Sequence, residues 1–157
     1  LLSCARGRLA HLWLALLLHY AVGVSLALFS MSFSFSLLYA LVSTLTMVAV
    51  VHGLLLLFRK HLRYAQTLTA LATCEALLGL LLLPVALLFY TSAVETELRA
   101  LLAVISMLVM GWNVALSAHI FRHALGVSRG TGFLFGIIYL VIAMAIGDMV
   151  GVAGTAA

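Results

Sequence analysis

The chain has 157 residues, 66% of them hydrophobic and 8% charged, with eight Lys or Arg against four Asp or Glu for a net charge of +4. Soluble domains carry about 25% charged residues, so too few charges are present to clothe a water-exposed surface, and the solvent for most of this chain is lipid. The basic residues stand at the ends of apolar runs, where they orient a chain in a bilayer, which argues against nucleic acid as a partner.

The sequence does not begin with Met, and a leading segment is expected before residue 1. Its first apolar run follows Arg6 and Arg8. That run is about 20 residues long, more than the 7–15 of a signal-peptide core, so it reads as a membrane span. A spanning helix needs about 20 predominantly apolar residues, and five stretches qualify: 9–29, 35–58, 64–90, 99–121 and 131–151. The breaks between them, SMSFS, RKHLR, TSAVETEL and RHALGVSRG, are short. The predicted fold is therefore all-α, one integral membrane bundle of five transmembrane helices filling residues 1–157.

Orientation follows from the charges. Arg6 and Arg8 precede span one, Arg59, Lys60 and Arg63 follow span two, and Arg122 and Arg129 separate spans four and five. Those seven of the eight basic residues fall on one side of a five-span chain, leaving Arg99 on the other beside Glu95 and Glu97. The positive-inside rule then places the N-terminus in the cytoplasm and the C-terminus outside. Removing or merging a span would destroy the alternation.

Span three carries the most informative polar residue. Glu75 lies 12 residues past Arg63, about 18 Å along a helix and close to the midplane. A charged carboxylate there is costly, so it is expected to face the bundle interior and to pair or stay protonated. His19 on span one and Asn113 on span four stand at similar depth and are its candidate partners. His52 and His119 lie nearer the cytoplasmic ends, and Asp148 nearer the outer end of span five. Three roles compete for Glu75: a hydrogen-bonded neutral acid that fixes packing, the lining of a cavity for an ion, proton or small substrate, and recognition of a partner or lipid. Pro84, nine residues on, removes an amide donor and crowds the Leu80 carbonyl, which predicts a kink.

Span five carries a stripe of small residues, Gly132, Gly136, Ala143, Gly147 and Gly151, spaced by four, seven, four and four. On a helix they share one face, where small side chains let backbones approach. Packing against another span of the same chain is the favoured reading, with a homodimer face as the alternative.

Chemistry is sparse. Cys4 and Cys74 form no CxxC pair and read as small packing residues. His52 and His119 stand at similar depth on spans two and four, the arrangement of a bis-histidine haem site, but among six His this juxtaposition arises easily by chance. No HExxH, nucleophile elbow or phosphate loop is present. The expectation is a non-enzymatic protein without metal or cofactor.

Two passages carry a family resemblance. LLLLFRKHLRYAQTLTALATCEALLGLLLLPV joins spans two and three through a basic turn and an aromatic–x–Gln-Thr segment to a span ending near Pro. WNVALSAHIFRHALGVSRGTGFLFGIIYL joins spans four and five through Trp, small and polar residues and a basic turn. Together with the span count and the cytoplasmic N-terminus they resemble the Yip1-domain family of five-span membrane proteins. The resemblance implies a membrane scaffold, adaptor or accessory subunit that meets another membrane protein or its own copies. The cytoplasmic N-terminal segment through which eukaryotic relatives contact small GTPases is expected to be absent or truncated in this sequence. The short loops and Leu/Ala-rich composition suggest a bacterial inner membrane. The alternative function is a small transporter or ion- or proton-conducting protein that uses a midplane carboxylate.

Overall fold

The computed structural model describes the backbone of residues 2–90 and 95–155 and the side chains of residues 7, 9–90 and 95–151. Expectations resting on the side chains of Cys4, Arg6 and Arg8, and on the turn around Ser92, lie outside them. The described residues form α1 (Leu2–Ala27), α2 (Phe33–Leu57), α3 (Tyr64–Tyr90), α4 (Thr96–Leu125) and α5 (Arg129–Thr155), with a short 3-10 turn over His61–Arg63. All five are long and apolar enough to cross a membrane. The chain is a multi-pass, all-α membrane protein.

Helix boundaries differ from the sequence expectation by a few residues where local bonding decides them. α1 stops at Ala27, and Ser30 and Met31 then donate back to its carbonyl. α4 runs on to Leu125, four residues beyond the expected 121. It ends where Gly126 takes a left-handed φ of 73°, with Gly126 and Val127 both donating to the Arg122 carbonyl. The end of α2 also turns on a left-handed residue. Lys60 donates to Leu55 and Arg59 to Leu56, with Arg59 itself at φ 55°. Both are Schellman-type stops, one using the residue best suited to that conformation and one using an arginine. α3 continues through Pro84 to Tyr90.

Many side-chain hydroxyls inside the spans are satisfied on their own helices. Ser36, Thr46, Thr67, Thr69 and Ser106 each donate to the carbonyl four residues earlier at 2.7–3.0 Å. In lipid an unpaired hydroxyl would cost several kcal/mol, about what any lone polar group costs there. That local bonding is why so many Ser and Thr are tolerated.

α1 packs on α2 and α3, α3 on α4, α4 on α5, and α5 back on α2, so the helices close a ring in the order α1–α3–α4–α5–α2. Successive contacts between α1 and α3 run in one direction: His19 with Glu75, Val22 with Gly79, Phe29 with Tyr90. These two helices are parallel. Those between α5 and α2 run oppositely, with Phe135 on Phe58, Gly147 on Tyr39 and Gly151 on Met31. At one end of the ring Arg63, entering α3, donates to the carbonyls of His123 (2.8 Å) and Ala124 (3.3 Å) at the end of α4. The α2–α3 and α4–α5 basic turns thus share that end, as alternating spans require.

The small-residue stripe of α5 is used within the chain. A Cβ on Gly132 would lie 2.8 Å from the Ala118 carbonyl oxygen, and one on Gly136 would lie 2.9 Å from that of Val114. The backbones of α4 and α5 touch there. Further along, the stripe turns to α2, where Gly147 makes room for the Tyr39 ring and Gly151 for Met31. Ala143, between Gly136 and Gly147, is half-buried.

The two halves of the ring differ in density. Toward the basic end, Leu12, Met47, Val51, Leu68, Leu71 and Phe121 pack as a core with at most 9% of any residue exposed. Toward the other end the same five helices surround a cavity of about 250 Å³. Hydrophobicity does not drive helices together in lipid, so this core is held by close van der Waals contact.

Candidate functional site: a polar layer between a packed and a hollow half

The boundary between the halves is polar. His19 from α1 and Glu75 from α3 meet there with Nε2 3.0 Å from Oε2, their side chains only 11% and 14% exposed. On its other side His19 places Nδ1 3.1 Å from the hydroxyl of Thr44 on α2. Tyr139 of α5, 4% exposed, comes near Glu75 as well. Asn113 of α4 lines the same cavity, and its side-chain oxygen accepts from Ser117 at 3.3 Å. Each helix of the ring contributes a group to this layer. The three residues expected to cluster, Glu75, His19 and Asn113, are brought to one cavity, and of the two candidate partners it is His19 that bonds Glu75.

Proton bookkeeping follows from the geometry. The Thr44 hydroxyl has one hydrogen, and its shortest acceptor is the Ala40 carbonyl at 2.8 Å. Thr44 therefore accepts from His19, which fixes the imidazole proton on Nδ1. Two arrangements remain for Nε2. Either it accepts a proton from a neutral Glu75 carboxyl, or it carries its own proton and donates to a Glu75 carboxylate. Both hold one proton between Nε2 and Oε2, and both leave the pair with no net charge, which suits the interior of a membrane. Among the described residues no buried side-chain nitrogen or oxygen lacks a partner.

The cavity beside the pair is walled by apolar side chains, among them Val22, Leu26, Leu78 and Leu140, with Tyr39, Ser43 and Asn113 as further polar groups. Tyr39 and Leu26 also line a second, more open crevice of about 740 Å³ that leads to the end of the ring away from the basic turns, past Ser30 and Asp148. Among the described residues no Lys or Arg lines either space.

The other histidines lie elsewhere. His52 and His119 are both exposed, the first edge-on to Tyr64 with ring centroids 5.4 Å apart, the second 4.5 Å from His123. Cys74 is a free thiol next to Glu75. Among the described residues no three His, Cys, Asp or Glu converge as metal ligands.

Thr44 and Tyr139 are the members of the layer that sequence reasoning missed. Tyr139 lies ten residues past Arg129, about 15 Å along the helix and at the depth of Glu75. Matching depth across all five spans, for hydroxyls as well as for charged groups, would have found it.

No protein-family model, no curated protein and no solved structure matches the chain.

Proposed function

We propose that this protein is a non-enzymatic membrane scaffold, adaptor or accessory subunit, of the kind its resemblance to Yip1-domain proteins implies. The observation that carries the reading is the closure of the midplane network. His19 is engaged on both ring nitrogens, by Thr44 and Glu75, and no buried polar side-chain atom among the described residues is left open. Here the polar groups tie α1, α2 and α3 to one another. The partner is another membrane protein or a second copy, set against the ring's lipid-facing sides. Purification in mild detergent followed by mass spectrometry tests this. A stoichiometric membrane partner is expected, and a lone chain that moves a solute in liposomes would overturn it.

The proposed location is a bacterial inner membrane, with the N-terminus and both basic turns cytoplasmic. Its support is the gathering of Arg59, Lys60, Arg63, Arg122 and Arg129 at the shared turns and the rule that such residues stay inside. Single cysteines at Ser32 and Ser128, in a chain with Cys4 and Cys74 replaced by Ala, check the orientation. Only the former should react with an impermeant thiol reagent added outside.

A second reading, a small transporter or proton conductor built on Glu75, is favoured by the cavity of about 250 Å³ beside the pair. Under it, Glu75→Gln folds normally but loses flux.

A further inference from the structure

We propose that the cavity beside His19 and Glu75 is a binding site for a small organic monocation, a primary or secondary ammonium with a short apolar body, which enters past Asp148 and displaces one proton from the pair. The inference rests on the second reading above, in which the cavity is a site rather than a packing defect.

The chemistry of the lining selects the ligand. The acidic groups are Glu75 at the inner end and Asp148 at the mouth, and among the described residues no Lys or Arg lines either space. An anion would find no fixed positive partner and two repelling carboxyls. A hydrated metal ion would need several hard oxygen ligands, and among the described residues no three metal-binding side chains converge. Leu, Val, Met, Ala and Gly make up most of the wall and suit an alkyl group. Ser43, Asn113 and Tyr39 supply oxygens within the same space for the remaining N–H donors. The volume, about 250 Å³, falls just below the range of drug-sized pockets, roughly 300–1,000 Å³, so the ligand is small.

The pair supplies the exchange. Empty, it holds one proton between Nε2 and Oε2 and has no net charge. When an ammonium takes up the Glu75 carboxylate, that proton leaves, His19 stays neutral with its proton on Nδ1, and the site again sums to zero: one cation in, one proton out, no bond made or broken but the O–H or N–H that releases it. An electroneutral swap avoids placing an uncompensated charge at mid-membrane. The titratable and charged groups facing the pair are few: Cys74 beside Glu75 on α3, Tyr139 and, at the mouth, Asp148 on α5, and Tyr39 on α2. From α4 the lining residues include only the neutral Asn113 as a polar group.

The test is calorimetric titration of the purified full chain in detergent with n-propylammonium, in two buffers of different ionisation enthalpy, with propionate as the anionic control. A ligand of about four heavy atoms reaches at best a dissociation constant on the order of tens of micromolar, so the titration extends into the millimolar range. One proton released per amine bound is expected, with affinity rising about tenfold per pH unit while the pair holds its proton. Propionate should not bind. Glu75→Gln should abolish both binding and proton release. Ser43→Leu, which fills the cavity and leaves the pair untouched, should abolish binding and keep the pair, and it decides the matter should the Gln variant not fold. No amine binding at pH 8, binding without proton release, or binding retained in Ser43→Leu would overturn the proposal. Proton flux in liposomes without amine binding would overturn this inference while sparing the transport reading, and amine binding without any flux would do the reverse.

Discussion

His19 and Glu75, far apart in sequence, meet at 3.0 Å between parallel helices α1 and α3, and the Thr44 hydroxyl on the far side of the imidazole decides which of its nitrogens carries the proton. From that relationship the behaviour of substitutions at Glu75 follows. A glutamine amide can donate to Nε2 as a neutral carboxyl does, so Glu75→Gln should alter stability by less than about 1 kcal/mol. Glu75→Leu strands Nε2 and should cost about 2–3 kcal/mol. Melting in detergent compares them, and equal losses would show that Nε2 needs no donor.

Thr44 tests the tautomer. Thr44→Val keeps the shape and removes the acceptor for Nδ1–H, with an expected loss of about 1–2 kcal/mol. Thr44→Ser keeps the hydroxyl and should recover most of it. In ¹⁵N spectra of the wild-type protein the His19 Nδ1 should appear protonated; an unprotonated Nδ1 would reverse the donor assignment and leave Glu75 ionised beside a neutral ring.

How much of this was legible in the sequence differs by feature. The five spans were, because each is a run of about 20 apolar residues and lipid leaves few other solutions for the backbone. Glu75, His19 and Asn113 were, because a polar side chain at midplane depth is costly enough to need company. Thr44 was not: a hydroxyl that bonds its own helix costs little in a span, and its second role depends on α1 arriving opposite. The uneven density of the ring was also illegible, since Leu and Val fill both halves equally in sequence and only the approach of the helices decides which half is hollow. The stops at Arg59 and Gly126 shifted the boundaries because a left-handed residue, not hydropathy, ends each helix.

Those stops give a matched pair of tests. Gly126→Ala forces a Cβ onto φ 73° and should cost about 1 kcal/mol. Arg59→Gly relieves the same conformation at φ 55° and should gain up to about 1 kcal/mol. Thermal melts that move the two variants in the same direction would contradict the account of the helix ends.

The α4–α5 contact predicts strong position dependence. Gly136→Leu drives a side chain into the Val114 carbonyl and the Ala118 amide, 2.9 and 3.0 Å from its Cβ, and should cost several times the roughly 1–3 kcal/mol of ordinary overpacking. Ile138→Leu, two residues on and 42% exposed, should be neutral. At Gly147 the neighbour is the edge of the Tyr39 ring at 3.1 Å rather than backbone, so Gly147→Ala should cost less than Gly136→Ala. Equal tolerance at 136 and 138 would show that the two helices do not touch.

The claim on which the rest depends is that His19 and Glu75 are coupled partners inside the bundle. A double-mutant cycle in detergent with His19→Leu, Glu75→Leu and the double variant measures that coupling directly. Each single change leaves one buried polar group without its partner, whereas the double change removes both. The account predicts a coupling of about 2 kcal/mol or more, with the double variant no less stable than the weaker single. Additive losses, with coupling near zero, would contradict it.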